Sequence, residues 1–146
     1  MIGIPYFLIP MLSGLTAQAL KPVLNRQWYN KLDRRGRRLP RYGGMPSAHA
    51  AFVVSVATVV GMEAGITSVA FVIAAAMVIL VFDEALRMRI FLSQHGLILK
   101  ELVKLLPEKE RRGLPYLESR LGHKPIEVAA GSLIGIAVSL LALLVL

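Results

Sequence analysis

The sequence predicts an all-α integral membrane bundle, and three observations lead there. The 146 residues are 55% hydrophobic and only 18% charged, with a mean hydropathy of +0.62. Four stretches, Met1–Leu20, Gly43–Met62, Ala64–Phe82 and Val128–Leu146, hold no Asp, Glu, Lys or Arg over 19 or 20 residues each. That is the length a helix needs to cross the hydrocarbon core, and backbone without water must satisfy its own hydrogen bonds as helix. Finally, all 17 Lys and Arg fall in two connections, 21–41 and 87–124. The expectation is one domain, 1–146, of four transmembrane helices plus an amphipathic helix lying in the interface.

Charge placement sets the expected topology. The turn between the second and third spans carries Glu63 and no basic residue. Both basic connections then share one face, which the positive-inside rule assigns to the cytoplasm, with the termini outside. The protein is therefore expected in the cell (plasma) membrane, multi-pass, its basic loops beside anionic lipid headgroups. A net charge of +8 can also mark nucleic-acid binding, but charge flanking membrane spans is topological, and no nucleic-acid partner is expected. No signal peptide is expected either, since the N-terminus lacks a basic region ahead of its apolar run. The absence of Cys excludes disulfides and thiolate catalysis.

In chain order, helix one runs from Ile2 to about Leu20, with Pro5 and Pro10 expected to kink it or delay its start. Lys21 closes it at the cytoplasmic end, and a short, very basic connection containing Lys31 and Arg38 follows. Helix two opens from Tyr42-Gly43-Gly44-Met45-Pro46-Ser47-Ala48-His49. Its glycines permit unusual backbone angles, and Pro46 suits a first helical position. Helix three, Ser68 to about Phe82, runs into Asp83-Glu84-Ala85-Leu86-Arg87-Met88-Arg89, where carboxylates beside arginines suit ion pairs. Phe91 to about Leu106 alternates Leu and Val with Lys100, Glu101 and Lys104, the pattern of a helix in the interface plane. Pro125 is expected to start helix four.

The chemistry concentrates at two helix entrances on the cytoplasmic face. A helix N-terminus offers unpaired N–H groups and partial positive charge, a ready anion site. At helix two, Ser47 adds a hydroxyl and His49 a group able to carry a proton near neutral pH; the plainer alternative is a Gly-Pro turn with a Ser cap. At helix four, His123 precedes Pro125, and Glu127 follows at a spacing that reaches back across one turn. An imidazole held by a carboxylate beside cations suits a nucleophile or base. A phosphate monoester fits such a place: cations and amides neutralise its oxygens, one His attacks phosphorus and the other protonates the leaving oxygen. Metal ligation is the competing use of two histidines, and no carboxylate cluster or HExxH spacing supports it.

These motifs resemble a known family. Gly43-Gly44-Met45-Pro46-Ser47-Ala48-His49, Asp83 with Arg89 and Gln94 downstream, Leu121-Gly122-His123-Lys124-Pro125-Ile126-Glu127-Val128, and Ala17-Gln18-Ala19-Leu20-Lys21-Pro22 are similar to the divergent branch of the type 2 phosphatidic acid phosphatases. That superfamily also includes vanadium-dependent haloperoxidases. The resemblance implies a metal-independent, cofactor-free phosphatase with a transient phosphohistidine: His123 the nucleophile, Glu127 its orienting carboxylate, His49 the general acid. Ser47 and the backbone of Gly44 and Met45 would hold the phosphate. For the cations the resemblance offers Lys21 in preference to Lys31 and Arg38, and Arg89 beside Asp83 in preference to Arg120. The paired arginines usual after the Asp are broken here by Met88.

The expected function is hydrolysis of a lipid phosphomonoester, phosphatidylglycerol phosphate or phosphatidic acid, at the cytoplasmic leaflet. A polyprenyl diphosphate phosphatase and a non-enzymatic anion- or lipid-binding membrane protein are the alternatives. Oligomeric state stays open, a homo-oligomer included. Topology is directly testable: a single Cys replacing Gly36 should resist an impermeant thiol reagent added outside intact cells and react once they are permeabilised. Labelling from outside would invert the orientation and the substrate ranking with it.

Overall fold

The computed structural model describes residues 5–24, 44–111, 114 and 124–145, and among these every regular element is helical. Helix α1 spans Leu8–Leu24, α2 Ala48–Ala64, α3 Val69–Asp83, α4 Arg89–Leu105, α5 Glu108–Arg111 and α6 Pro125–Val145. A single π-helical turn, Glu84–Met88, joins α3 to α4 without a loop. The amphipathic helix expected over 91–106 is thus present, but as the continuation of α3. Two helices are long and apolar enough to cross a membrane: the continuous Val69–Leu105 helix and Pro125–Val145. The other two apolar helices, Leu8–Leu24 and Ala48–Ala64, have 17 residues each.

Several boundaries differ from the sequence expectation, each for a physical reason. Helix α1 starts at Leu8 because Pro5 sits in the preceding turn, where its carbonyl accepts the Leu8 N–H at 2.8 Å. It continues past Leu20 because Lys21 belongs to the helix's buried face, Ile9, Ser13, Ala17 and Lys21. Helix α2 starts at Ala48, so Pro46 stands before the cap and not at the first helical position. The chain reaches it through Gly44, whose φ of +89° is a left-handed conformation that Gly adopts without a Cβ penalty.

The packing is inside-out by the standards of a water-soluble domain. Ser13, Ala17, Ser47, Ala50, Ala51, Ser55, Ala74 and Ser139 are buried, while Phe7, Leu15, Val72, Ile73, Ile79, Leu80, Leu133 and Leu141 are exposed. Water would penalise so much exposed apolar surface, whereas lipid does not. In lipid, small residues let helix backbones approach and polar groups bond across the interface. Helix α2 is the hub, packing against α1, α3 and α6.

Helices α2 and α6 run parallel, in step at four-residue intervals: Gly131 lies against Ser47 and Gly135 against Ala51. One turn deeper, the Ser55 and Ser139 hydroxyls are 2.6 Å apart. One of the two hydroxyls donates to the other, and Ser139 Oγ also lies 2.8 Å from the Gly135 carbonyl oxygen one turn back on its own helix. Helix α1 runs antiparallel to α2: the Tyr6 hydroxyl donates to Glu63 Oε2 at 2.7 Å at one end, and Gly14 packs beside Ala48 and Phe52 nearer the other.

Ser13 Oγ, also buried, meets no hydrogen-bond partner among the described residues. The two serines should therefore respond oppositely to truncation. Ser139→Ala should cost ~0.5–1.5 kcal/mol of stability, whereas Ser13→Ala should be neutral or stabilise by up to ~1 kcal/mol. Thermal unfolding in detergent measures both, and a larger loss at Ser13 would mean that its hydroxyl is bonded in the folded protein.

Candidate functional site

The entrance to α2 is built around Ser47. Its extended backbone (φ −75°, ψ 113°) and side chain cap the helix, Oγ accepting the Ala50 N–H at 3.4 Å. The residue is fully buried, as is Pro46 before it. The Ser47 N–H does not point to solvent: it donates to the Glu127 carbonyl at 2.9 Å. Two motifs 80 residues apart are thereby joined through their backbones. The cap role foreseen as the plainer alternative for Ser47 is realised, and two amides of this turn are committed inside the protein. Gly44 and Met45, half-buried, form the more open part of the loop.

At the entrance to α6 the chain turns at Lys124, with Pro125 as the first helical residue, as expected. Glu127 sits three residues on, and its Oε2 accepts the Lys124 N–H at 3.1 Å. A carboxylate at this position reaching back to the amide before the helix is half of a capping box. It also places negative charge where the helix dipole is positive. Glu127 thus holds this entrance twice, its carbonyl accepting from Ser47 and its carboxylate from Lys124. His123, the residue before Lys124, lies outside the described residues, as do Lys31, Arg38 and Arg120.

The remaining candidates gather at the same end of the bundle. From Gly14, packed beside Ala48 and Phe52, seven more residues carry α1 ~10 Å further at 1.5 Å each, so Lys21 lies toward the end of the bundle where α2 begins. It is buried there, 7% exposed. A Lys is seldom so buried without a partner, and Lys21 has one. The π-turn arrives from the other side: Ala85 is buried with Ala50 and Val128, flanked by Phe82 and Leu86. Single π-turns inside helices occur frequently at functional sites. Asp83 pairs with Arg87 at 3.2 Å on the exposed side, where an ion pair contributes little to stability. Arg89 is the first residue of α4.

His49 is exposed, in the first turn of α2, and does not share the Ser47–Ala51–Ser55 face that meets α6. Among the described residues, no three His, Asp or Glu side chains are grouped to hold a metal ion.

Among the described residues, the Gly44–Ser47 loop, the π-turn and the entrance to α6 therefore come together at one end of the bundle. That assembly is what similarity to known proteins can now be set beside. The family described as Divergent PAP2 matches residues 4–138. The chain belongs to the divergent PAP2 family. The uncharacterized membrane protein YuiD of Bacillus subtilis (strain 168) is 32% identical over 148 aligned residues, 90% of this chain and 91% of its own. No solved structure matches the chain. With its apolar helices, this divergent PAP2 chain is a membrane protein.

The sequence reading missed Gly131, Gly135 and Ser139. Their signal was present as small residues every four positions after Glu127, in phase with Ser47, Ala51 and Ser55. The capping role of Glu127 gives a direct check. Glu127→Ala should cost ~0.5–1 kcal/mol through the lost cap, whereas Glu127→Gln, which keeps an acceptor oxygen, should unfold close to the parent temperature. Equal destabilisation would mean that the carboxylate's charge, and not the cap, holds the helix start.

Proposed function

We propose that this divergent PAP2 protein is a lipid-phosphate phosphatase working at the cytoplasmic leaflet through a phosphohistidine on His123. The observation that carries the reading is the Ser47 N–H to Glu127 carbonyl bond. It unites the Gly44–His49 loop with the helix entrance that follows His123, and two separate helix caps would have no need of it. An oxyanion site needs donors held before the charge develops, and a loop tied by its backbone to the facing helix is held in that way.

The roles follow. His123 attacks phosphorus, and Glu127, on the first turn of α6, orients and stabilises the imidazole as charge forms on it. His49 protonates the leaving oxygen; its exposure suits a group that must meet a headgroup arriving from the membrane surface. Gly44 and Met45 offer backbone to the phosphate, and Ser47, buried as the cap of α2, shapes the loop. Lys21, brought to this end of the bundle by the length of α1, is the first cation, with Arg89, the first residue of α4, the second. Lys31, Arg38 and Arg120 are the reserve set.

Four spans are the natural reading of the packing. If α6 crosses the bilayer, α2 lies parallel beside it from Ser47 to Ser55 and shares its depth, and α1 lies antiparallel against both. Helix α4 carries the same continuous helix on past the π-turn to the headgroup level, with the side formed by Ile98, Leu99 and Leu102 toward lipid and Lys100 and Lys104 away from it. With the basic connections inside, the substrate is a lipid phosphate formed on the cytoplasmic face, phosphatidylglycerol phosphate or phosphatidic acid.

The decisive experiment is phosphate release from lipid monoesters by purified protein. His123→Ala should abolish it while the protein stays folded. His49→Ala should lose ~10²–10⁴-fold on lipid esters and less on activated esters whose leaving group needs no proton. Glu127→Gln should lower kcat with little change in KM, and since it keeps the cap, the loss reports on charge alone. Turnover should survive EDTA. Near-normal activity in His123→Ala would overturn the nucleophile, and phosphate-lipid binding with no hydrolysis in the parent protein would favour the binding-protein alternative.

A further inference from the structure

Helices α2 and α6 approach so closely that two positions have no room for a methyl group. A Cβ on Gly131 would fall well inside contact distance of the Ser47 carbonyl oxygen and 3.1 Å from the Ser47 nitrogen. A Cβ on Gly135 would stand 2.5 Å from the Ala51 carbonyl oxygen. The obstructing atoms are backbone, so no rotamer change relieves either clash. The two sites lie one turn apart on the same face yet differ in what they press on. Ser47 is the cap of α2, the donor to Glu127 and the end of the Gly44–Ser47 loop. Ala51 is an interior helical residue, one turn further from the loop, and takes no part in the bond to Glu127 itself.

We propose that Gly131 is a positioning residue for the reaction. It seats the Ser47 backbone on α6, so that the Ser47–Glu127 bond sets the spacing between the phosphate loop and the first turn of α6. The catalytic consequence rests on the phosphatase reading; the latch itself does not. A methyl at this position must push Ser47 away by ~1 Å before normal packing distance is restored, because close-packed interiors have no slack to absorb it. Gly131 touches no substrate and acts only through Ser47 and Glu127.

The test compares Gly131→Ala with Gly135→Ala in the full chain in detergent, using phosphatidic acid in mixed micelles as substrate. Both variants should melt at lower temperature than the parent. Per folded molecule, Gly131→Ala should lose ~30–100-fold in kcat with KM within ~3-fold, the effect expected of an ångström's misplacement. Gly135→Ala should keep kcat within ~3-fold. Equal losses in the two variants, or near-normal kcat in Gly131→Ala, would reduce Gly131 to ordinary packing.

Amide exchange on the unmodified protein gives an arm that needs neither a folded variant nor activity. The Ser47 amide should exchange as slowly as the α2 interior and open together with the Glu127 and Val128 amides. Fast exchange at Ser47 overturns the latch outright. If the parent protein hydrolyses no lipid phosphate, the phosphatase reading fails, and the exchange result still decides the latch.

Discussion

A single backbone hydrogen bond, from the Ser47 N–H to the Glu127 carbonyl, has most of the bundle arranged around it. It can form only where two helices meet with no side chain between them, which Gly131 provides by lacking a Cβ. It can persist only where water does not compete, and Ser47 and Pro46 are fully buried. Around it the caps interlock, Ser47 closing α2 with its hydroxyl and Glu127 closing the first turn of α6 with its carboxylate. Each entrance is thus satisfied partly by its own residues and partly by the other's.

The same economy governs the rest of the membrane portion. Since lipid is as apolar as Leu, burying large side chains between helices yields little, and small residues dominate the interior, with Ile9, Val53, Val59 and Val128 set among them. Close backbone approach and hydroxyl pairs such as Ser55–Ser139 then supply the contact that oil-like packing supplies in water-soluble proteins. The result is a bundle closely packed at its α2–α6 seam, with the entrances of those two helices joined at one end by the Ser47–Glu127 bond.

Much of this was legible in the residues. Charge-free runs located the apolar helices, Pro125 marked the start of α6, and the Gly44–Ser47 loop was recognisable from glycine and proline chemistry. What escaped did so for definable reasons. The charge-free rule stops α1 at Leu20, but Lys21 is a buried helical residue and the helix runs on to Leu24. The Ser47–Glu127 bond is made by backbone, which carries no residue-type signature. Gly131, Gly135 and Ser139 are spaced like one another and like Ser47, Ala51 and Ser55, but small residues at that spacing also occur where helices do not touch. Family membership confirms the resemblance carried by the motifs, two of which open α2 and α6, where few residue types serve.

The π-turn at Glu84–Met88 has a geometric corollary for the helix beyond it. A π-turn holds an extra residue without adding a turn, so everything downstream is rotated by ~100° relative to an uninterrupted α-helix. Helix α3 is apolar nearly all round and has no orientation to lose; α4 has one apolar side and one bearing Lys100 and Lys104. The extra residue is therefore a phase adjustment. It lets a single continuous helix pass from an environment that is the same in every direction to one with a top and a bottom, with α4 turned to suit the second and Ala85 still held by Ala50 and Val128.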